Sequence, residues 1–407
     1  MAKRTSIYPL LISYFIMYFN TYFINPYLAL DSLIYTTPRY ALLIAVLIFI
    51  SPIFAQFTTL YGFSSLAEKK HREEWLIILG YSFGFLQWIL LMVMTGLGLV
   101  NPYVTLVITM SCNLFMVAYI PAVKAYLTSR TKVEKKGKAL GQLNMIESLA
   151  WFFGMILGGI IYNPERLHYM ILVAVILSIF SILLIPLIGD VKIESADYDP
   201  KIAVPEPIII TKIIKSTYSF KELLAIQFGI FIFSSTFFGL IGAYQQSLGT
   251  QPWFYGLTNA IPGILSIIVF WIFGKILDRS GPDFLIFYGW ISYALVYLGL
   301  LTGNIVVVFF VWIFPAYAFK VATEYMASQL EDKSKAIRNM ALASFFALAG
   351  NVLGGIMGGL LTLLSEDTFV QFRIVIFVSL IGVTFIGIMF SIIFVIRKIK
   401  MKKSTPS

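Results

Sequence analysis

The chain has 407 residues, of which 59% are hydrophobic and only 12% charged, with 36 Phe, 23 Tyr and a net charge of +10. A soluble domain carries about 25% charged residues, so lipid rather than water surrounds most of this chain, and its positive charge belongs to loops facing anionic headgroups rather than to a nucleic-acid surface. One cysteine (Cys112) excludes an internal disulfide, His71 and His168 are too few for a metal or nucleophile constellation, and no phosphate-binding glycine loop for an ATP-driven pump is present.

A membrane-spanning helix needs about 20 apolar residues. The hydropathy pattern predicts twelve, at 7–30, 40–66, 75–98, 103–127, 139–162, 168–188, 219–245, 253–276, 284–301, 305–329, 337–363 and 370–396. Met1–Arg4 leads directly into the first span, which reads as an uncleaved insertion signal. Of the 30 Lys and Arg, all but Arg39, Arg166, Arg373, Lys124 and Lys320 fall in the termini or the even-numbered connections. That asymmetry places both termini and the even connections in the cytoplasm. The expected fold is therefore all-α and integral to the plasma membrane.

The longest connection is polar, contains Pro200, Pro205 and Pro207, and divides the spans six and six. It gives an N-terminal six-helix bundle over 1–189, a cytoplasmic linker over 190–218 and a C-terminal six-helix bundle over 219–407. Within the linker, Ile208–Ile214 reads equally as a short amphipathic surface helix or as linker with apolar residues packed beneath the helices.

The two halves repeat each other. Gly154-Met-Ile-Leu-Gly158-Gly159-Ile160 in the fifth span recurs as Gly350-Asn-Val-Leu-Gly354-Gly355-Ile356 in the eleventh, and the same offset carries Lys124 onto Lys320. Parallel six-helix repeats joined by a long loop are a transporter architecture, with the substrate site between the halves near the midplane. The glycine sets make small faces for close helix packing in lipid.

At this point the chain resembles the major facilitator superfamily. After the eighth span stands Gly274-Lys-Ile-Leu-Asp278-Arg279-Ser-Gly281, matching the family's Gly-x-x-x-Asp-Arg-x-Gly loop. After the second span, Glu68-Lys69-Lys70-His71-Arg72 is a degenerate copy, with Ser64 in place of the first glycine. Gly137-Lys138-Ala139-Leu140-Gly141 resembles the family's basic start to the fifth span. The resemblance implies a pseudo-symmetric secondary transporter in which Glu68, Lys69, Arg72, Gly274, Asp278, Arg279, Gly281 and Arg338 form a cytoplasmic gate. Two departures stand out: Gly159 replaces the proline of the antiporter pattern, and the fourth span has Thr109–Asn113 where many drug–proton antiporters carry an arginine.

Ionisable groups inside a membrane are costly and mark function by default. Lys124 and Glu147 lie on antiparallel neighbouring spans at similar depth, and Lys320 and Glu324 share a face four residues apart. They read either as ion pairs of the cytoplasmic gate, or as two symmetric cations favouring an anionic substrate, or as carriers of the coupling proton at Glu147 or Glu324. Asn20, Asn25, Asn113 and Gln227 are the uncharged site candidates, with helix–helix adhesion as the competing role. Tyr103, Trp253 and Tyr255 are expected in an interfacial aromatic belt.

The reading that results is a secondary transporter, not an enzyme. It needs no cofactor, works as a monomer, and uses the proton gradient to export a small organic solute by alternating access. An organic-anion exchanger or importer using Lys124 and Lys320 is the alternative. A membrane-embedded enzyme, a lipid flippase or a transporter-like sensor is more remote.

Overall fold

The computed structural model describes residues 8–70, 73–99, 101–129, 136–187, 217–280, 283–312 and 333–404, and among them no strand occurs. The helices are α1 (Tyr8–Tyr35), α2 (Pro38–Lys70), α3 (Glu73–Gly96), α4 (Pro102–Met116), α5 (Tyr119–Ser129), α6 (Lys136–Ile161) and α7 (Leu167–Leu184). They continue as α8 (Phe220–Ser235), α9 (Ile241–Ser247), α10 (Pro252–Ser280), α11 (Asp283–Leu301), α12 (Ile305–Trp312), α13 (Lys333–Leu361) and α14 (Thr368–Ser404). The linker with Ile208–Ile214, and the inner part of the tenth span with Lys320 and Glu324, lie outside the described residues.

Nine segments among the described residues are long and apolar enough to cross a membrane. α1 is not one of them, although it has 28 residues. Its apolar run is diluted by Tyr14, Tyr18, Asn20, Tyr22 and Asn25, and most of its residues are buried. A helix that faces protein on nearly every side has no need of a lipid-compatible surface. α7 and α14 are the opposite case, with Ile176, Phe180 and Phe385 more than half exposed where lipid would lie.

The fourth and seventh predicted spans are each broken. Pro121 has no N–H to return to Val117, so the helix tightens there, and Ile120 N–H bonds to Val117 O at 3.1 Å. The backbone of α3 packs into this break. A Cβ on Gly80 would sit 2.6 Å from Met116 O and 2.8 Å from Tyr119 N, so only glycine permits the approach. The break separates α4 from α5 and turns the ring of Tyr119 toward α1. The seventh span breaks between α8 and α9 through a short tight turn at Phe238–Leu240.

Helix ends follow local chemistry. Asn101 caps α4 ahead of Pro102, with its side chain accepting from Tyr103 N–H at 2.9 Å. Ser219 and Glu222 form a capping box on α8. Gly98 and Gly303 adopt positive φ just after α3 and α11, where an L side chain would be strained.

The repeated glycines do the same work twice. Cβ atoms on Gly154 would meet Phe19 O, Tyr22 Cβ and Phe23 N of α1 at 3.0–3.1 Å. Cβ atoms on Gly350 would meet Phe228 O, Phe231 Cβ and Ile232 N of α8 at 2.9, 2.8 and 3.3 Å. The contacted residues share one offset, so α6 seats α1 in the manner that α13 seats α8. Gly158 and Gly354 extend the two contacts by a turn. Gly159 and Gly355 face the other half of the chain, against Pro252–Trp253 of α10 and Ile50 of α2. Of the residues expected in the belt, Tyr103 and Trp253 are half exposed, but Tyr255 is 3% exposed. It lies two residues from Trp253, thus on the opposite face of α10, and packs edge-on against Tyr27 at 5.9 Å.

Candidate transport site

The basic ends of α1, α5 and α6 bring three polar side chains to one point. Lys124 lies five residues from the end of α5, about 7 Å of helix rise. Its Nζ is 3.3 Å from Glu147 Oε1 on α6. Tyr14 on α1 donates its hydroxyl to the same oxygen at 2.5 Å. The Tyr14 side chain is fully buried, whereas Lys124 and Glu147 keep 39% and 24% of their side chains exposed. The carboxylate is therefore held from the protein side by a phenol and from the open side by an ammonium, a charge-assisted arrangement.

Tyrosines surround that point. Tyr14 lies 4.9 Å from Tyr18 and 5.7 Å from Tyr119. Tyr81 lies 5.3 Å from Tyr119 and shares a 3.0 Å hydrogen bond with Ser13. Further along α1, Tyr22 stacks on Trp151 of α6 at 5.1 Å. Tyr14, Tyr18, Tyr22 and Asn25 recur at spacings of four, four and three, so they share one face of α1. The face runs from the ion pair toward the middle of the molecule.

The other candidates divide. Asn20 donates to Ala174 O at 3.2 Å and Ser178 Oγ at 3.1 Å, which ties α1 to α7. Asn113 donates to Ser51 Oγ at 2.9 Å, tying α4 to α2. Asn25 is buried with both amide atoms unpartnered, and the Oε1 of buried Gln227 is unpartnered too. For Gly274, Asp278, Arg279, Glu68, Lys69 and Arg338 only the helical backbone is described, and Arg72 and Gly281 lie outside the described residues. The gate expectation is thus not brought together here. Among the described residues no group of three or more His, Cys, Asp or Glu is placed to hold a metal.

Two buried polar residues escape the sequence reading. Tyr14 is legible as a member of the Tyr14–Tyr18–Tyr22 face, but nothing in the sequence separates it from the general aromatic content. Asp31 stands just beyond the predicted end of the first span at residue 30, yet α1 continues to Tyr35 and buries it.

Solved structures share the fold of this chain. A mutant of the nucleoside transporter NupG superposes with a TM-score of 0.71 at 12% identity, covering 95% of this chain and 99% of that one. A POT family transporter in complex with 5-aminolevulinic acid gives 0.72 at 13% identity, covering 96% of each chain. A bacterial homologue of the iron transporter ferroportin, inward-facing, gives 0.67 at 16% identity, covering 96% and 98%. At these identities the likeness is one of fold. No curated protein matches the sequence. The profile of the Major Facilitator Superfamily matches residues 10–328; with the repeated glycine contacts and transporter-like helix arrangement described above, this chain belongs to that superfamily of membrane transporters.

Proposed function

We propose that the protein is a proton-coupled secondary transporter that exports a small organic solute by alternating access, with Glu147 as the coupling carboxyl. In this reading it sits in the plasma membrane with twelve spans and both termini in the cytoplasm, and residues 1–189 rock as a monomer against 219–407. The observation that carries the proposal is the double engagement of Glu147 Oε1 by Tyr14 and Lys124. Charged, Glu147 ties α5 to α6. Protonated, it gives up the ion pair and keeps a hydrogen-bonding role toward Tyr14. α6 also carries Gly158 and Gly159, which seat α1 and meet α10 of the other half. A change of charge at Glu147 therefore acts on the helix that touches both halves.

The test is Glu147→Gln in proteoliposomes. The expected result is loss of proton-driven transport with solute counterflow retained. Full proton-driven transport in the variant would remove Glu147 from the mechanism.

An organic-anion exchanger or importer is the second reading. It is favoured by one observation: Lys124 remains 39% exposed even while paired, so a proton on Glu147 leaves an accessible cation. A thermal-shift screen of wild type beside Lys124→Ala/Lys320→Ala separates the two. Stabilisation by organic anions in the wild type alone supports the anion reading. Stabilisation by cations or neutral solutes, kept in the variant, supports the exporter.

A further inference from the structure

Besides Glu147, which Lys124 pairs, the described residues hold a buried carboxyl without a counter-charge. Asp31, near the sparsely charged end of α1, is 4% exposed, its Oδ1 has no hydrogen-bond partner, and no ion pair reaches it among the described residues. It lines a hollow of about 10 Å³ with Ser32 of α1, Leu91 and Thr95 of α3, Thr105 of α4 and Leu167 of α7. That is room for about one water molecule. The Ser32 and Thr95 hydroxyls donate to carbonyls of their own helices, Ala29 O at 2.7 Å and Leu91 O at 3.0 Å. They do not donate to the carboxylate. The buried phenol of Tyr162 neighbours Asp31, and its hydroxyl too has no hydrogen-bond partner. Among titratable groups, Tyr35 of α1 acts on Tyr162, α3 and α4 present neutral side chains to the hollow, and Arg166 just ahead of α7 and His168 in its first turn lie on the exposed surface.

An unpaired carboxylate is expensive to bury. The hollow is too small and too apolar to supply the six or so oxygens that a metal cation takes. A proton removes the charge with no further ligand. The position also connects with the contact between halves. The Tyr162 ring is 5.2 Å from Tyr27, and the Tyr27 hydroxyl donates to Met155 O at 2.6 Å. The same hydroxyl stands 2.9 Å from where a Gly256 Cβ would be, in α10 of the other half.

We propose that Asp31 is a second proton-binding site, and that a proton there accompanies closure of the sparsely charged end between α1, α6 and α10. Loss of the proton at alkaline pH places a charge in the hollow. Water must then reach Asp31, which loosens the Tyr162–Tyr27–Tyr255 cluster and opens that end.

The test uses the full chain in lipid nanodiscs with spin labels at Arg166→Cys and Gln251→Cys in a Cys112→Ser background. It is run both with Glu147 intact and with Glu147→Gln, so that titration at Glu147 is not the source of the signal. The expected result is a shift to longer distances from acid to alkaline pH in both parents. Adding Asp31→Asn should abolish the shift and hold the short distance throughout. A shift that survives Asp31→Asn, or no shift in the parents, overturns the proposal. Should Asp31→Asn fail to fold, Tyr162→Phe serves in its place: a displaced pH midpoint supports the site and an unchanged one overturns it. Infrared difference spectra of the Glu147→Gln protein provide a direct readout. Absence of a carboxylic-acid C=O band that titrates with the distance change also counts against Asp31. Proton-driven transport by Glu147→Gln is a separate measurement, so either reading can fail alone.

Discussion

At the scale of single residues, the ion pair is less informative than the phenol behind it. An ion pair left this open is worth little on its own. The Tyr14 hydroxyl, in contrast, is buried and donates to a charged oxygen, a bond worth about 1.5–3 kcal/mol. Tyr14→Phe is therefore expected to lower the proton-driven rate by about tenfold, measured in proteoliposomes, and to shift its pH dependence; an unchanged pH profile would reduce Tyr14 to packing. Of the two groups around Glu147, Lys124 comes from the preceding helix and Tyr14 from an element distant in sequence. The Lys124–Glu147 pairing was legible because antiparallel neighbouring spans fix relative depth. The Tyr14 contact was not, because rotation of α1 about its own axis is set by its neighbours.

At the scale of elements, glycines decide how closely helices approach. A Cβ on Gly350 would press on Phe228 O at 2.9 Å and Phe231 Cβ at 2.8 Å, whereas one on Gly62 meets nothing within 4 Å. Gly350→Val is expected to abolish monodisperse protein in fluorescence size-exclusion runs, and Gly62→Ala to leave it intact. The C-terminal helix is clasped differently. Arg397 of α14 forks onto Glu222 at 2.7 and 2.5 Å and reaches Thr217 O at 3.1 Å, while Asp283 of α11 accepts from the Thr217 hydroxyl at 2.6 Å. This clasp fastens α8, α11 and α14 together at their basic ends. Arg397→Ala should lower the melting temperature of the purified protein without changing counterflow exchange; an unchanged melting curve would show the clasp to be surface decoration. The glycine periodicity was plain in the sequence. The broken fourth span was less so, since Pro121 signals a break but not what packs into it.

At the scale of the whole molecule, topology rests on charge. Cysteines at Glu366 and Ser404, in a Cys112→Ser background, should react with an impermeant maleimide from outside and from inside respectively. Labelling of both from one side would overturn the cytoplasmic placement of the termini. The sequence by itself determined the all-helical membrane architecture, the repeat and the common level of Lys124 and Glu147. Long apolar runs, loop charge and glycine spacing act through the lipid, and the lipid reads one dimension along each helix. Only the tertiary structure decided which side each helix turns inward. It pairs Asn20 and Asn113 as adhesion between helices, buries Tyr255 away from the interface, gathers the tyrosine face beside Glu147 and encloses Asp31. The reason is that azimuth in a bundle is fixed by mutual packing, through glycine approaches and side-chain contacts between distant segments, which no local pattern specifies.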